Sequence, residues 1–129
     1  MCICNDLRWP DRYRVLALRV CQVVTFAYNT PKHYPLALEH AHLIEFRNDL
    51  CMQAGAYANG LWVIAFAKAD LEDNCQLISK RRIISPKVEI VAEATTTEDK
   101  PVIVQIDLES CRLLKENILN FDLHREPEE

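Results

Sequence analysis

The chain opens on a short apolar run, Met1 to Cys4, which breaks at Asn5-Asp6. That is the pattern of a buried strand running into a turn. Pro10 sits where a first helical position favours it, and Val15, Leu16 and Leu18 carry a helix-like repeat through Arg12–Val20. Val20–Ala27 is a continuous run rich in β-branched residues, bounded by the turn cluster Tyr28-Asn29-Thr30-Pro31, and predicts a second buried strand. From Leu38 to Ala58, apolar residues at Leu43, Phe46, Leu50, Ala54 and Tyr57 recur in steps of three and four. This predicts a long amphipathic helix, closed by Asn59-Gly60. Leu61–Ala67, Gln76–Ile84, Glu89–Ala94 and Val102–Leu108 read as strands, the last three joined by hairpin-like connections at Ser85–Val88 and Thr95–Lys100. Cys111, Leu114, Ile118 and Phe121 then mark a final helix, and His124–Glu129 reads as an exposed charged end. The order βαβαβ, then strands, then a helix, predicts a layered α/β protein with a mixed sheet. A strand at residue 1 that is buried on both faces needs neighbours the chain does not supply, so part of the domain is expected to lie before Met1.

Charge and composition narrow the function. The sequence of 129 residues mixes 15 Lys+Arg with 19 Asp+Glu for a net charge of −4, which leaves no basic stripe for nucleic acid or anionic lipid. No apolar run approaches the ~20 residues of a spanning helix, and the start has no basic segment followed by a long apolar one. Neither nucleic acid nor a membrane is an expected partner. The six cysteines lie mostly inside apolar stretches and lack zinc-like spacing, so they are expected to be reduced thiols. His40-x-His42, with His33 and Glu39, is read as a polar helix start, and no metal is expected. Glycine occurs only at positions 55 and 60, far below the usual share of about 7%.

Cys4 is the residue with chemical promise. A cysteine at the end of a buried strand, followed by a turn and a helix that starts with Pro, is placed as a nucleophile, because such an elbow lifts the sulfur out of the sheet and a nearby helix N-terminus favours thiolate. Strand-end cysteines are also ordinary core residues. The neighbours add more: Cys4-Asn5-Asp6-Leu7-Arg8-Trp9-Pro10-Asp11 resembles the nucleophile motif of the carbon-nitrogen hydrolases of the nitrilase superfamily. Within that superfamily the chain is most similar to the N-carbamoyl-D-amino acid amidohydrolases. Tyr28-Asn29-Thr30-Pro31, Met52-Gln53-Ala54-Gly55, Thr95–Asp99 and Asn120-Phe121 with His124-Arg125 carry that likeness. The resemblance covers essentially the whole chain and maps onto the C-terminal half of the family's domain.

The resemblance implies the C-terminal half of an αββα sandwich and a Glu-Lys-Cys catalytic set in which Cys4 matches the nucleophile. The substrate would be an N-carbamoyl-D-amino acid, the products D-amino acid, carbon dioxide and ammonia, and no cofactor is implied. Arg8 would pair with the substrate carboxylate, and Asn5, Asn29 and Thr30 would supply polar contacts. The missing N-terminal half of the domain, a homo-oligomer built through helices with Leu43–Tyr57 as the candidate surface, and a cytoplasmic location are further expectations. The family's Glu and Lys precede the nucleophile, and no residue here matches them. The chain alone is therefore expected to be inactive. Leu7 stands where relatives carry a second Arg and Arg47 where they carry a His. Lys80-Arg81-Arg82 replaces a less charged segment, and Val20, Ala27 and Val88 replace glycines. A decayed, non-catalytic α/β interaction module is the competing reading.

Overall fold

The computed structural model describes residues 1–124 and 126, without the side chains of Glu39 and His40. Of the expected exposed end His124–Glu129, positions 125 and 127–129 lie outside the described residues. Strand β1 (Cys2–Ile3) leads into a 3-10 turn (Cys4–Arg8) and helix α1 (Pro10–Leu18). Strand β2 (Val23–Tyr28), a second 3-10 turn (Leu38–Leu43), helix α2 (Ile44–Asn59) and strand β3 (Trp62–Ala67) follow. The short strands β4 (Leu71–Glu72) and β5 (Cys75–Gln76) form a separate ribbon. Strands β6 (Arg81–Ile84) and β7 (Ile90–Ala94) precede helices α3 (Glu109–Asn117) and α4 (Phe121–His124).

The main sheet runs β1-β2-β3-β6-β7. β1 to β3 are parallel, and β6 and β7 join antiparallel. The fold is the expected α/β arrangement on a mixed sheet. Alternation along β3 sorts its side chains to two faces, as the pleat requires. Val63 and Ala65 enter a core with Leu7, Tyr13, Phe26, Met52 and Ala56, beneath α1 and α2. Trp62 enters a smaller cluster with Ile83 and Cys111, against which Ile64, Val102, Val104 and Ile106 also pack. Helix α2 ends at Gly60, whose φ of +57° allows the left-handed cap, and the Leu61 N–H returns to the Ala56 carbonyl at 2.9 Å.

Four expectations are corrected. Val20 is no strand residue: it sits at φ +56° in the turn after α1, almost fully exposed, and β2 begins only at Val23. Gln76–Ile84 is two strands in different sheets, broken at Ser79 with φ +48°. Val102–Leu108 forms no ladder; Val102, Val104 and Ile106 are half-buried on alternate positions while Ile103 is exposed. The pattern is strand-like, but no described strand pairs with it. The α2 stripe also faces the wrong way for a core: Phe46, Leu50 and Tyr57 are exposed, whereas Asn48, Met52, Gly55, Ala56 and Asn59 are buried. Periodicity locates a face without saying what covers it. Small residues at 55 and 56 let α1 approach closely, and buried Asn59 finds a local partner in the Gly55 carbonyl at 2.9 Å.

Candidate active site

Cys4 lies where β1 stops pairing. Cys2 and Ile3 register with Phe26 and Ala27 of β2, and the next residue turns sharply, with φ +45° at Cys4. A non-glycine residue held in the left-handed region costs about 1–3 kcal/mol and persists only where the surroundings over-determine it. The surroundings are visible. The Ile3 N–H donates to Asp6 Oδ2 at 3.1 Å, the Trp9 N–H to the Asp6 carbonyl at 3.3 Å, and the Tyr13 hydroxyl to the Leu7 carbonyl at 2.8 Å. Leu7 is buried in the main core, so it anchors the turn and offers no contact to a ligand. The sulfur opens the 3-10 turn; the N-cap of α1 is Trp9.

The predicted residues are placed unevenly around this elbow. Asn29 is brought to Cys4: the Cys4 thiol donates to Asn29 Oδ1 at 3.8 Å. Thr30 is buried, and its carbonyl accepts the Ile78 N–H at 3.0 Å. Asn5 is exposed beside Cys4. Arg8 is exposed at the far end of the turn, near enough to favour a Cys51 thiolate, although burial dominates and raises that thiol. Arg8 and Arg47 line one cavity of about 520 Å³ with Pro31, Tyr34, Asn48 and Cys51. Asn48 is buried there beside the Tyr28 hydroxyl without a hydrogen bond of normal geometry.

Two residues at this site carry no mark in the sequence pattern. Glu72 accepts from Asn29 Nδ2 at 3.4 Å and pairs with Lys68 at 2.6 Å. Lys68 and Asn29 hold the Glu72 carboxyl below its ordinary value. Their separation from Cys4 hid them; the Asp73-Asn74 turn signal was the available clue.

Lys80-Arg81-Arg82 has partners throughout. Lys80 pairs with Glu45 at 2.7 Å, buried Arg82 with Asp49 at 2.6 Å and Glu93 at 3.4 Å, and Arg81 donates to the Glu98 carbonyl at 3.1 Å. Burial raises Asp49 despite these cations, while Lys80 and Lys32 lower Glu45. The Tyr28 hydroxyl, pushed up to about 12 by burial, donates to the Lys80 carbonyl at 2.9 Å. All six cysteines are free, and no group of three or more His, Cys, Asp or Glu among the described residues is arranged to hold a metal. Among these residues no helix is long and apolar enough to cross a membrane.

On the sheet face opposite α1 and α2, Ile3, Ala27 and Phe66 are partners across β1, β2 and β3 and are all exposed. This apolar strip borders Cys4 at the carboxyl ends of the parallel strands, where α/β sheets place ligands.

The chain is similar to known proteins over most of its length. A nitrilase from Pyrococcus abyssi is 28% identical over 118 residues, spanning 92% of this chain and 40% of that protein. A carbon-nitrogen hydrolase from Helicobacter pylori G27 superposes with a TM-score of 0.78 at 17% identity, over 95% of this chain and 44% of that one. The C. elegans NitFhit protein gives 0.75 at 22% identity, over 95% and 28%. The NitN amidase from Nesterenkonia sp. AN1 gives 0.62 at 16%, over 93% and 42%. The chain thus spans less than half the length of these relatives. Residues 1–116 match the carbon-nitrogen hydrolase family, and the chain belongs to that family.

Proposed function

We propose that this chain is the nucleophile-bearing part of an amidohydrolase acting on N-carbamoyl-D-amino acids. The observation that carries the reading is Cys4, held at φ +45° where β1 ends, with its sulfur on Asn29, in a carbon-nitrogen hydrolase chain. A mutant of the Nesterenkonia amidase, in which acrylamide has undergone Michael addition at the active-site cysteine, supports a cysteine nucleophile on this fold.

In this mechanism the Cys4 sulfur attacks the carbamoyl carbon, giving a tetrahedral intermediate whose oxyanion needs a cationic donor. Ammonia leaves with a proton from a general acid. Water then cleaves the thioester-like bond, and the released carbamate loses carbon dioxide to give the D-amino acid. In this reading Arg8 pairs with the substrate carboxylate, and Asn5, Asn29 and Thr30 supply polar contacts. No glutamate or lysine among the described residues is hydrogen-bonded to the Cys4 sulfur, so base and oxyanion donor come from the remaining part of the domain. The bare strip Ile3, Ala27 and Phe66 is where that part would pack. Removing one oxyanion donor alone costs about a hundredfold to a thousandfold in turnover.

The test is ammonia release from an N-carbamoyl-D-amino acid. The 129-residue chain alone should release none above a Cys4→Ser control. Extension by the in-frame upstream coding sequence should give Cys4-dependent release, with the L-enantiomer a poor substrate. Release that is indifferent to Cys4→Ser, or confined to other amides, would overturn the assignment.

A further inference from the structure

The nucleophile is the end of a chain of four side chains. Lys68 Nζ pairs with Glu72 Oε1 at 2.6 Å, Asn29 Nδ2 donates to Glu72 Oε2 at 3.4 Å, and the Cys4 thiol donates to Asn29 Oδ1 at 3.8 Å. A carboxylate has acceptors only, so the amide end that faces Glu72 is its NH2. The oxygen is thereby left facing the sulfur. Both contacts of Asn29 agree on one orientation of a group that otherwise turns over freely.

The backbone supports this placement. Glu72 rides on the β4–β5 ribbon, whose two-residue loop Asp73-Asn74 has φ of +50° and +63°, the sign a tight hairpin requires at both positions. The ribbon is tied down beside Asn29. The Lys32 N–H donates to the Gln76 carbonyl at 2.7 Å, the Ile78 N–H to the Thr30 carbonyl at 3.0 Å, and the Lys68 N–H to the Tyr28 carbonyl at 2.7 Å. Glu72 therefore meets Asn29 by main-chain geometry.

We propose that Glu72 is a positioning residue for the nucleophile: it locks the Asn29 amide with its oxygen toward Cys4, so that the amide accepts from the thiol and cannot turn its NH2 to a thiolate. A hydrogen bond accepted from the neutral form disfavours ionisation, and one donated to the charged form favours it. Glu72 decides which of the two Asn29 can make. Lys68 and Asn29 hold the Glu72 carboxyl below its ordinary value, so it accepts from Asn29 as a carboxylate at neutral pH. The inference rests on reading Cys4 as the nucleophile.

The test is a double-mutant cycle read by alkylation. Iodoacetamide labelling of Cys4 in the intact chain is followed by peptide mass spectrometry from pH 6 to 10, with Cys21 as an internal reference and thermal melts confirming the fold. Glu72→Ala should lower the midpoint of Cys4 labelling by about half a pH unit or more, because the freed amide can donate to the thiolate. In an Asn29→Ala background the same substitution should shift nothing. Glu72→Lys, which replaces an acceptor by a donor, should repeat this dependence on Asn29 if the alanine variant folds poorly. An equal shift in both backgrounds means through-space charge alone and overturns the proposal, as does no shift when Asn29 is present. Labelling reads the lock whether or not the chain hydrolyses anything, so its failure is separate from failure of the ammonia assay.

Discussion

Tyr13 lies on Gly55. A Cβ at position 55 would come within 2.5 Å of two Tyr13 ring carbons, and the same ring's hydroxyl holds the Leu7 carbonyl at 2.8 Å. The contact of α1 with α2 at this pair is thus tied to the turn that holds Cys4. Gly55→Ala should cost about 2 kcal/mol or more, within the range for overpacked cores, despite the better helix propensity of alanine. Tyr13→Phe should cost about 1–2 kcal/mol through the lost buried hydrogen bond. Urea denaturation checks both. An alanine at 55 that leaves the midpoint unchanged would show that Tyr13 can move aside and that the turn does not depend on it.

Val20 and Val88 occupy left-handed backbone, with φ of +56° and +78°. Both are turn residues: the Val88 N–H closes the turn on the Ser85 carbonyl at 3.0 Å, and the Val88 carbonyl accepts from Gln53 Nε2 at 2.8 Å. A β-branched side chain there costs about 1–2 kcal/mol, of which glycine's greater unfolded freedom takes back about 0.5–1. Val20→Gly and Val88→Gly should each stabilise the chain by about 0.5–1 kcal/mol, additively because the turns are separate. Chemical denaturation of the two single variants and the double variant measures this.

The same turns show what the sequence makes legible. Glycine scarcity, with the resemblance, marks Val20, Ala27 and Val88 as replaced glycines; Val88 has the positive φ its turn predicts, Val20 has it where the pattern predicts a strand, and Ala27 lies in an ordinary strand. The turn at Cys4 was legible because such an elbow is a local event, a strand end and a turn within five residues. Glu72 was not, because its contact with Asn29 spans 43 residues and depends on a ribbon folding back. Segment 102–108 was read as a strand from its alternation. Alternation sets which side chains face inward, while a ladder also needs a neighbour's backbone. The α2 stripe failed for a similar reason: an exposed apolar face and a core face have the same period.

The cations Lys32, Lys80 and Arg82 give the stability a pH signature. Glu45, paired with Lys80 and Lys32, has a folded pKa below its ordinary 4.5. The native chain therefore binds fewer protons there than the unfolded chain. Its contribution is present above about pH 4.5 and is lost as pH falls through the lower folded value. Asp49 works in the opposite sense, since burial raises it and its ionisation costs stability as pH rises through that folded value. Glu45→Gln should lower the urea midpoint at pH 6.5 and have little effect near pH 3. A deficit that persists undiminished at pH 3 would mean that Glu45 acts through packing, not charge.

Helix α2 presents Phe46, Leu50 and Tyr57 to solvent, next to a cavity of about 620 Å³ between α1 and α2 to which Leu50 and Val15 contribute. Contiguous exposed apolar surface of this kind marks interaction sites. Trp9 and Val15 on the α1 side are also exposed and extend the surface. Self-association through this surface is the expected use, and a charge placed in its middle should abolish it, because an unpaired lysine in an apolar contact must be desolvated without compensation. Leu50→Lys should reduce the sedimentation coefficient to that of a monomer while leaving the thermal melt cooperative, the side chain being outside the core. The bare strip Ile3, Ala27 and Phe66 lies on the opposite sheet face, so Phe66→Lys serves as the control. If Phe66→Lys dissociates the assembly and Leu50→Lys does not, the chain associates through its open sheet face, and α2 is not the interface.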